Sequence, residues 1–206
     1  MLKILGRSTS TNVQKVLWCC DEIGLDYTRE DIGGPFGGND RPEYLALNPN
    51  GRVPTLIDGD LVLWESNSIV RYLAAGHDNG GLIPADPAGR ALVERWMDWE
   101  LSTAAKPHGM LMLQLVRTPP AERDPDLIES NRVAWAAAMT ILDAQLATTP
   151  YAAGERFSCA DIALGTSAYR WFNLDFERPE LAHLASWYAR LRERPAYRKH
   201  VLIEIV

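Results

Sequence analysis

NPNGRVPTLIDGDLVLWESNSIVRYL, residues Asn48 to Leu73, is the stretch whose reading decides the fold. Asn48-Pro49-Asn50-Gly51 is dense turn chemistry, because glycine and asparagine tolerate positive φ and proline fixes its own. Val53 to Ile57 then reads as a short strand, Asp58-Gly59-Asp60 as a tight turn, and Leu61 to Trp64 as a second strand. Pro54 has no N–H to give to a ladder, which places it at a strand edge or start. Glu65-Ser66 opens a helix that runs through Leu73.

This opening has chemical consequences. A helix N-terminus presents unpaired N–H groups and partial positive charge, so it receives carboxylates readily. Ser66 adds a hydroxyl and Glu65 a negative charge, and together they can hold a zwitterion such as a free α-amino acid head group. Ordinary capping by Ser66, with Glu65 favoured by the helix dipole, accounts for the same residues. A cis Val53-Pro54 bond would turn the N–H and C=O of Val53 outward to pair with an extended peptide; an ordinary trans proline stands beside that reading.

Upstream, Leu2 to Gly6 reads as a first strand, Arg7 to Asn12 as a polar loop, and Val13 to Ile23 as a helix closed by Gly24. Val13, Val16, Leu17 and Cys20 have helical spacing, and Thr11 with Gln14 matches a capping box. Tyr27 to Ile32 is a second strand. Gly33-Gly34-Pro35-Phe36-Gly37-Gly38 lacks a phosphate-loop pattern and reads as a surface loop, with a flap over a ligand as the alternative. Arg41 to Leu47 is a short helix. The order βαβ-α-ββα predicts a thioredoxin-like α/β domain over residues 1–77. The Gly-, Pro- and Asp-rich run His77 to Gly89 reads as a linker, and residues 86–206 as an all-α helical bundle domain.

Within that second half, Ala88 to about Ala105 carries Leu92, Trp96 and Trp99 on one face, and Pro107 is expected to kink or interrupt the run. Asp124 to Ala147 spaces Leu127, Asn131, Ala134, Trp135, Ala138, Ile141, Leu142 and Leu146 as a helical stripe. In FSCADI, Ser158 and Asp161 form a second capping box, stapled by Phe157 and Ile162, which makes Asp161 a structural carboxylate. Two further helices are expected near Glu180 to Arg194 and from Pro195 onward, with the terminal VLIEIV docked on the helical domain.

Composition narrows the function classes. The net charge of −6 and the lack of a basic stripe argue against nucleic acid as a partner. No apolar run approaches the ~18 residues of a membrane span, and MLKILGR reads as a strand rather than a signal peptide, so a cytoplasmic, membrane-free protein is expected. The 3 cysteines are read as reduced core residues, since adjacent Cys19 and Cys20 suit no relaxed disulfide. The scattered histidines suggest no metal.

Asn-Pro-x-Gly-x-Val-Pro, a hairpin and Glu-Ser opening a helix resemble the glutathione transferases over nearly the whole chain. The resemblance implies glutathione as co-substrate, a cis Val53-Pro54 bond pairing with its cysteinyl backbone, and Glu65 and Ser66 on its γ-glutamyl end. It also implies a detoxifying role and a homodimer, for which Trp96, Trp99 and Trp135 could supply the interface. In this family the thiolate donor sits in the loop before the first helix. That loop has no tyrosine and no Cys-x-x-Cys here, so the chain looks like the bacterial and theta-like serine or threonine/asparagine branches. Counted back from Val13, the family's serine falls on Ser10, with Asn12 as a second donor; Ser8, Thr9 and Thr11 stay open. Arg52 could pair with the glycine carboxylate, or simply be an exposed turn arginine. Met110 and Met112 suit an apolar electrophile wall or the core equally.

The expected activity is attack of the glutathione thiolate on small hydrophobic electrophiles. Lowering a thiol pKa by about two units from ~8.5 takes roughly 2.7 kcal/mol, which one hydrogen bond to the charged sulfur, at roughly 1.5–3 kcal/mol, nearly supplies. Glutathione-dependent reduction of peroxides or disulfides, and carriage of glutathione or another ligand without turnover, are the alternatives.

Overall fold

Leu2, Ile4 and Leu5 are buried along β1 (Leu2–Leu5), which lays one edge of the N-terminal core. The structure, a computed structural model, describes residues 1–78 and 80–206. α1 (Thr11–Glu22) carries the chain across to β2 (Tyr27–Glu30), which pairs parallel to β1 with Leu2 opposite Tyr27. After the short α2 (Pro42–Leu45), the hairpin of β3 (Thr55–Asp58) and β4 (Leu61–Trp64) leads into α3 (Ser66–His77). β3 runs antiparallel to both β1 and β4, giving the sheet order β2-β1-β3-β4. This is a thioredoxin-like domain. β3 begins at Thr55 rather than Val53, since Pro54 cannot donate to the ladder. α3 runs past Leu73 to His77, carried by the buried Ala74.

Asp78 follows α3, its carboxylate accepting the N–H of Leu82, and α4 begins at Pro87. Asn79, part of the expected linker, lies outside the described residues. Helix then runs without a break from α4 (Pro87–Trp99) through a π-helical turn (Glu100–Ala104), α5 (Ala105–Met112) and a second π turn (Leu113–Arg117). Pro107 therefore does not interrupt it. The wider winding just before α5 opens room where proline lacks an N–H and crowds the preceding turn. The buried face of α4 is Val93, Trp96 and Met97, and Leu92 is 45% exposed, so the stripe is rotated from the expected one.

α6 (Pro125–Leu146) buries Trp135, Ala138, Met139, Leu142 and Leu146, while Leu127 and Ile141 face out. α7 (Cys159–Asn173), α8 (Ala182–Arg192) and α9 (Pro195–His200) complete an all-helical domain. The C-terminal segment docks on it, the Tyr169 hydroxyl donating to the C=O of Ile203 at 2.7 Å. Among the described residues no helix is long and apolar enough to cross a membrane.

α1 lies between α3 on one side and α7 and α9 on the other, and every residue from Val13 to Cys20 is buried. Its Trp18 sits 4.6 Å from the Tyr197 ring and 5.6 Å from Phe157. A Cβ on Gly165 would fall 2.9 Å from the Trp18 ring and 2.8 Å from Leu191, so glycine is what lets α7 approach.

The FSCADI box forms. The fully buried Asp161 accepts the N–H of Ser158 (2.9 Å) and of Ala152 (3.0 Å), the Ser158 hydroxyl (3.1 Å) and the Trp187 indole (2.8 Å). Removing the carboxylate strands all these donors, at about 1–3 kcal/mol for each one left buried and unpaired. Asp161→Ala is expected to lower unfolding free energy by at least about 3 kcal/mol, measured by urea denaturation; a loss under about 1 kcal/mol would remove Asp161 from this anchoring role.

Candidate functional site

Ser10 occupies the N-cap position of α1 with extended backbone, and its hydroxyl makes no capping bond. The expected Thr11–Gln14 box is therefore absent. Ser10 N–H donates to Arg7 C=O at 3.2 Å, which turns the loop so that Thr11 already lies within the helix. Gln14 is buried, and among the described residues both its amide atoms lack partners. Among the described residues the N–H groups of Thr11, Asn12 and Val13 have no hydrogen-bond partner, unlike the side-chain-capped start of α6. Asn12 Oδ1, in the first turn, accepts the Ser66 hydroxyl at 3.2 Å, tying this N-terminus to that of α3.

Glu65 is the N-cap residue of α3 and, at φ 71°, the only non-glycine residue with positive φ among those described. Such backbone costs on the order of 1–3 kcal/mol and persists only where the surroundings hold it. Glu65 stays exposed while Ser66, the first helical residue, is buried.

The Val53-Pro54 peptide bond is cis. The turn before it is pinned from beneath: the Tyr44 hydroxyl (2.6 Å) and Asn48 Nδ2 (2.7 Å) both donate to Arg52 C=O, and both side chains also meet the Thr55 hydroxyl. Among the described residues neither the N–H nor the C=O of Val53 has a hydrogen-bond partner.

These groups converge. Ser10, Asn12, Arg52, Val53, Pro54, Glu65 and Ser66 all line one cavity of about 650 Å³ between the two domains. Thr11 lines it as well; Ser8 and Thr9 do not. From the helical domain Met112 reaches the wall and Met110 does not. Trp135, expected at an interface between copies, is fully buried in the helical core against Trp171 and Phe176. All 3 cysteines are buried and free. Burial, with Asp21 next to one and Asp78 near the other, pushes the Cys20 and Cys159 thiols up to about 12, so no reactive protein thiol stands ready there. Among the described residues no group of His, Cys, Asp and Glu could hold a metal ion.

Several lining residues were not legible in the sequence: Arg7, Glu100, His108 and Arg117. Glu100 sits in the first π turn and accepts Lys15 Nζ at 2.8 Å, the two side chains only 4% and 1% exposed, with Asn67 Nδ2 at 3.4 Å from the same oxygen. A lone glutamate late in a helix gave no sign of this burial. His108 is 6% exposed and stacks at 5.0 Å on Trp135; among the described residues its Nε2 has no partner. Desolvation, helped by the charges of Arg170 and Lys15, pushes its pKa down to about 3.

Comparison with known proteins gives the site its context. Residues 9–75 match the glutathione S-transferase N-terminal domain and residues 125–190 the C-terminal domain. Glutathione S-transferase GstB of Escherichia coli K12 is 43% identical over 100% of both chains. Glutathione S-transferase 3 of Zea mays is 33% identical, over 97% of this chain and 93% of its own. The glutathione-bound crystal structure of a theta-class glutathione S-transferase from Xanthomonas axonopodis pv. citri superposes with a TM-score of 0.96 at 53% identity, covering 100% of this chain and 99% of that one. The chain belongs to the glutathione S-transferase family.

His108 makes a pH prediction. Its imidazole is neutral in the fold down to about pH 3, whereas the unfolded chain protonates it near 6.5. Stability is thus fully present above pH 6.5 and falls as pH drops from there toward 3, by about 1.4 kcal/mol per pH unit. Between pH 7.5 and 5.0 the natural chain should lose roughly 2 kcal/mol more than His108→Gln, read by urea unfolding at both pH values. Equal losses would contradict a neutral buried His108.

Proposed function

We propose that this protein is a glutathione transferase that activates the glutathione thiolate for attack on small electrophiles. Residues 1–77 hold glutathione, and the electrophile meets it against residues 86–206. The observation that carries the reading is the meeting of two helix N-termini at one cavity, joined by the Ser66–Asn12 hydrogen bond.

The γ-glutamyl carboxylate rests on Ser66 and the N-terminal N–H groups of α3, and the ammonium faces Glu65. The unpartnered N–H and C=O of Val53 pair with the cysteinyl backbone as an added strand, next to Pro54. Arg52 takes the glycine carboxylate. This leaves the thiol at the start of α1, where the uncommitted Ser10 hydroxyl donates to the thiolate, Asn12 acts as a second donor, and the helix end adds up to ~1 kcal/mol. The sulfur lone pair then forms the S–C bond as the leaving group departs. Family similarity and the glutathione-bound relative support this placement.

The reading includes a cytoplasmic, detoxifying role and a homodimer. Half-buried Trp99 and exposed Leu92 leave apolar surface on α4 for a second copy. Sedimentation at micromolar concentration, giving one copy or two, decides the assembly.

Ser66→Ala and Glu65→Gln are each expected to weaken glutathione binding about tenfold or more, as loss of a hydrogen bond to a charged group implies. Calorimetric titration reads this, and unchanged affinity would refute the head-group assignment. Ser10→Ala should leave affinity within a few-fold while raising the bound thiol pKa by at least about one unit. Ultraviolet thiolate titration reads that shift; an unaltered curve moves the role to Asn12 or Thr11.

A further inference from the structure

Gly165 is glycine because α7 must approach Trp18, but Gly109 has no such reason. It lies in the interior of α5, and beyond its own stretch of helix no atom stands within 4 Å of where its Cβ would be. Glycine weakens a helix interior relative to alanine, through the extra freedom it loses on folding. The C=O of Gly109 accepts the N–H of Leu113, so the residue neither ends nor breaks the helix. Among the described residues no packed neighbour requires the missing side chain. What Gly109 does border is the cavity between the domains, where it is exposed.

Ala105, His108, Gly109 and Met112 line that cavity at positions i, i+3, i+4 and i+7, which is one face of α5. Burial keeps His108 neutral, so this face carries no charge. Ala105 and Gly109, one turn apart, leave a recess, and Met112 borders it with a polarisable thioether that suits aromatic rings. Ser10 and Thr11, at the start of α1 where the glutathione thiol is placed, line the same cavity from the other domain. A flat apolar group laid on this face leaves water in proportion to the area it covers.

We propose, building on the transferase reading, that Gly109 sets electrophile size: the recess it leaves receives the outer ring of a fused aromatic electrophile. The ring system lies against the α5 backbone between Ala105 and Met112, with its reacting carbon toward the thiolate. A side chain at position 109 would occupy the place of that outer ring. With an arylmethyl chloride, the thiolate forms the C–S bond, the C–Cl bond breaks, and chloride leaves with its electron pair.

The test compares benzyl chloride with naphthylmethyl chloride, which share the type of reacting carbon and differ by one fused ring. Conjugation with glutathione is followed by chloride release, and each kcat/KM is divided by the uncatalysed rate constant. The natural chain should favour the naphthyl compound by about tenfold. Gly109→Leu should bring that ratio to within about threefold of unity, with calorimetric glutathione affinity showing that the variant folds. Gly109→Ala should lower the ratio partway while raising the urea midpoint, because alanine is the better helix former. No ring preference in the natural chain, a preference that survives Gly109→Leu, or a lower urea midpoint for Gly109→Ala overturns this inference alone. Turnover of neither chloride, with glutathione bound or not, overturns the transferase reading together with it.

Discussion

Lys15 and Glu100 form an ion pair between the two domains in a place almost closed to solvent. The constraint comes from α1. A helix packed against α3 on one side and α7 and α9 on the other has no solvent face over Val13 to Cys20, so a lysine within that run must find its counter-charge in the protein. Glu100 answers from the helical domain, and Asn67 of α3 ties in through Glu100 and the C=O of Met97. Such a pair adds little net stability over an apolar one, but breaking it leaves a buried charge at a cost of about 3–5 kcal/mol. It therefore fixes relative placement more than it adds strength.

That placement governs the cavity. Glu100 belongs both to the pair and to the cavity wall, so this contact ties the wall contributed by the helical domain to α1. At the C-terminal end of α1, Glu22 pairs with Arg194 at 2.6 Å, and Asp21 with Lys199 at 2.6 Å and His200 at 2.9 Å. Trp18 fills the space between these contacts against Phe157 and Tyr197. The helix whose start lines the cavity is thus held along its length by the domain that forms the opposite wall.

Local chemistry carried much of the reading. The hairpin, the cis-capable Val-Pro step, the Glu-Ser helix opening and the FSCADI box are set by residues within a few positions of one another, and short-range sterics and capping decide them. The errors share a cause as well. Leu92 and Ile141 have core-like identity but face out, and Trp135 is core rather than interface, because periodicity gives a stripe's spacing and not the direction of its partner. Pro107 stays helical because a π turn precedes it, which propensity does not anticipate.

The sequence by itself determined the order of elements, the two-domain plan and the run of Ser, Thr and Asn residues around the start of α1, of which Ser10, Thr11 and Asn12 border the cavity. It did so because turn, cap and strand signals are written in neighbouring residues. Only the tertiary structure decided that Glu100 meets Lys15, that His108 is stripped of water, and that Arg7 and Arg117 share one cleft. Those residues are as far apart in sequence as 85 positions for the ion pair, and burial and mutual charge exist only once the domains have packed.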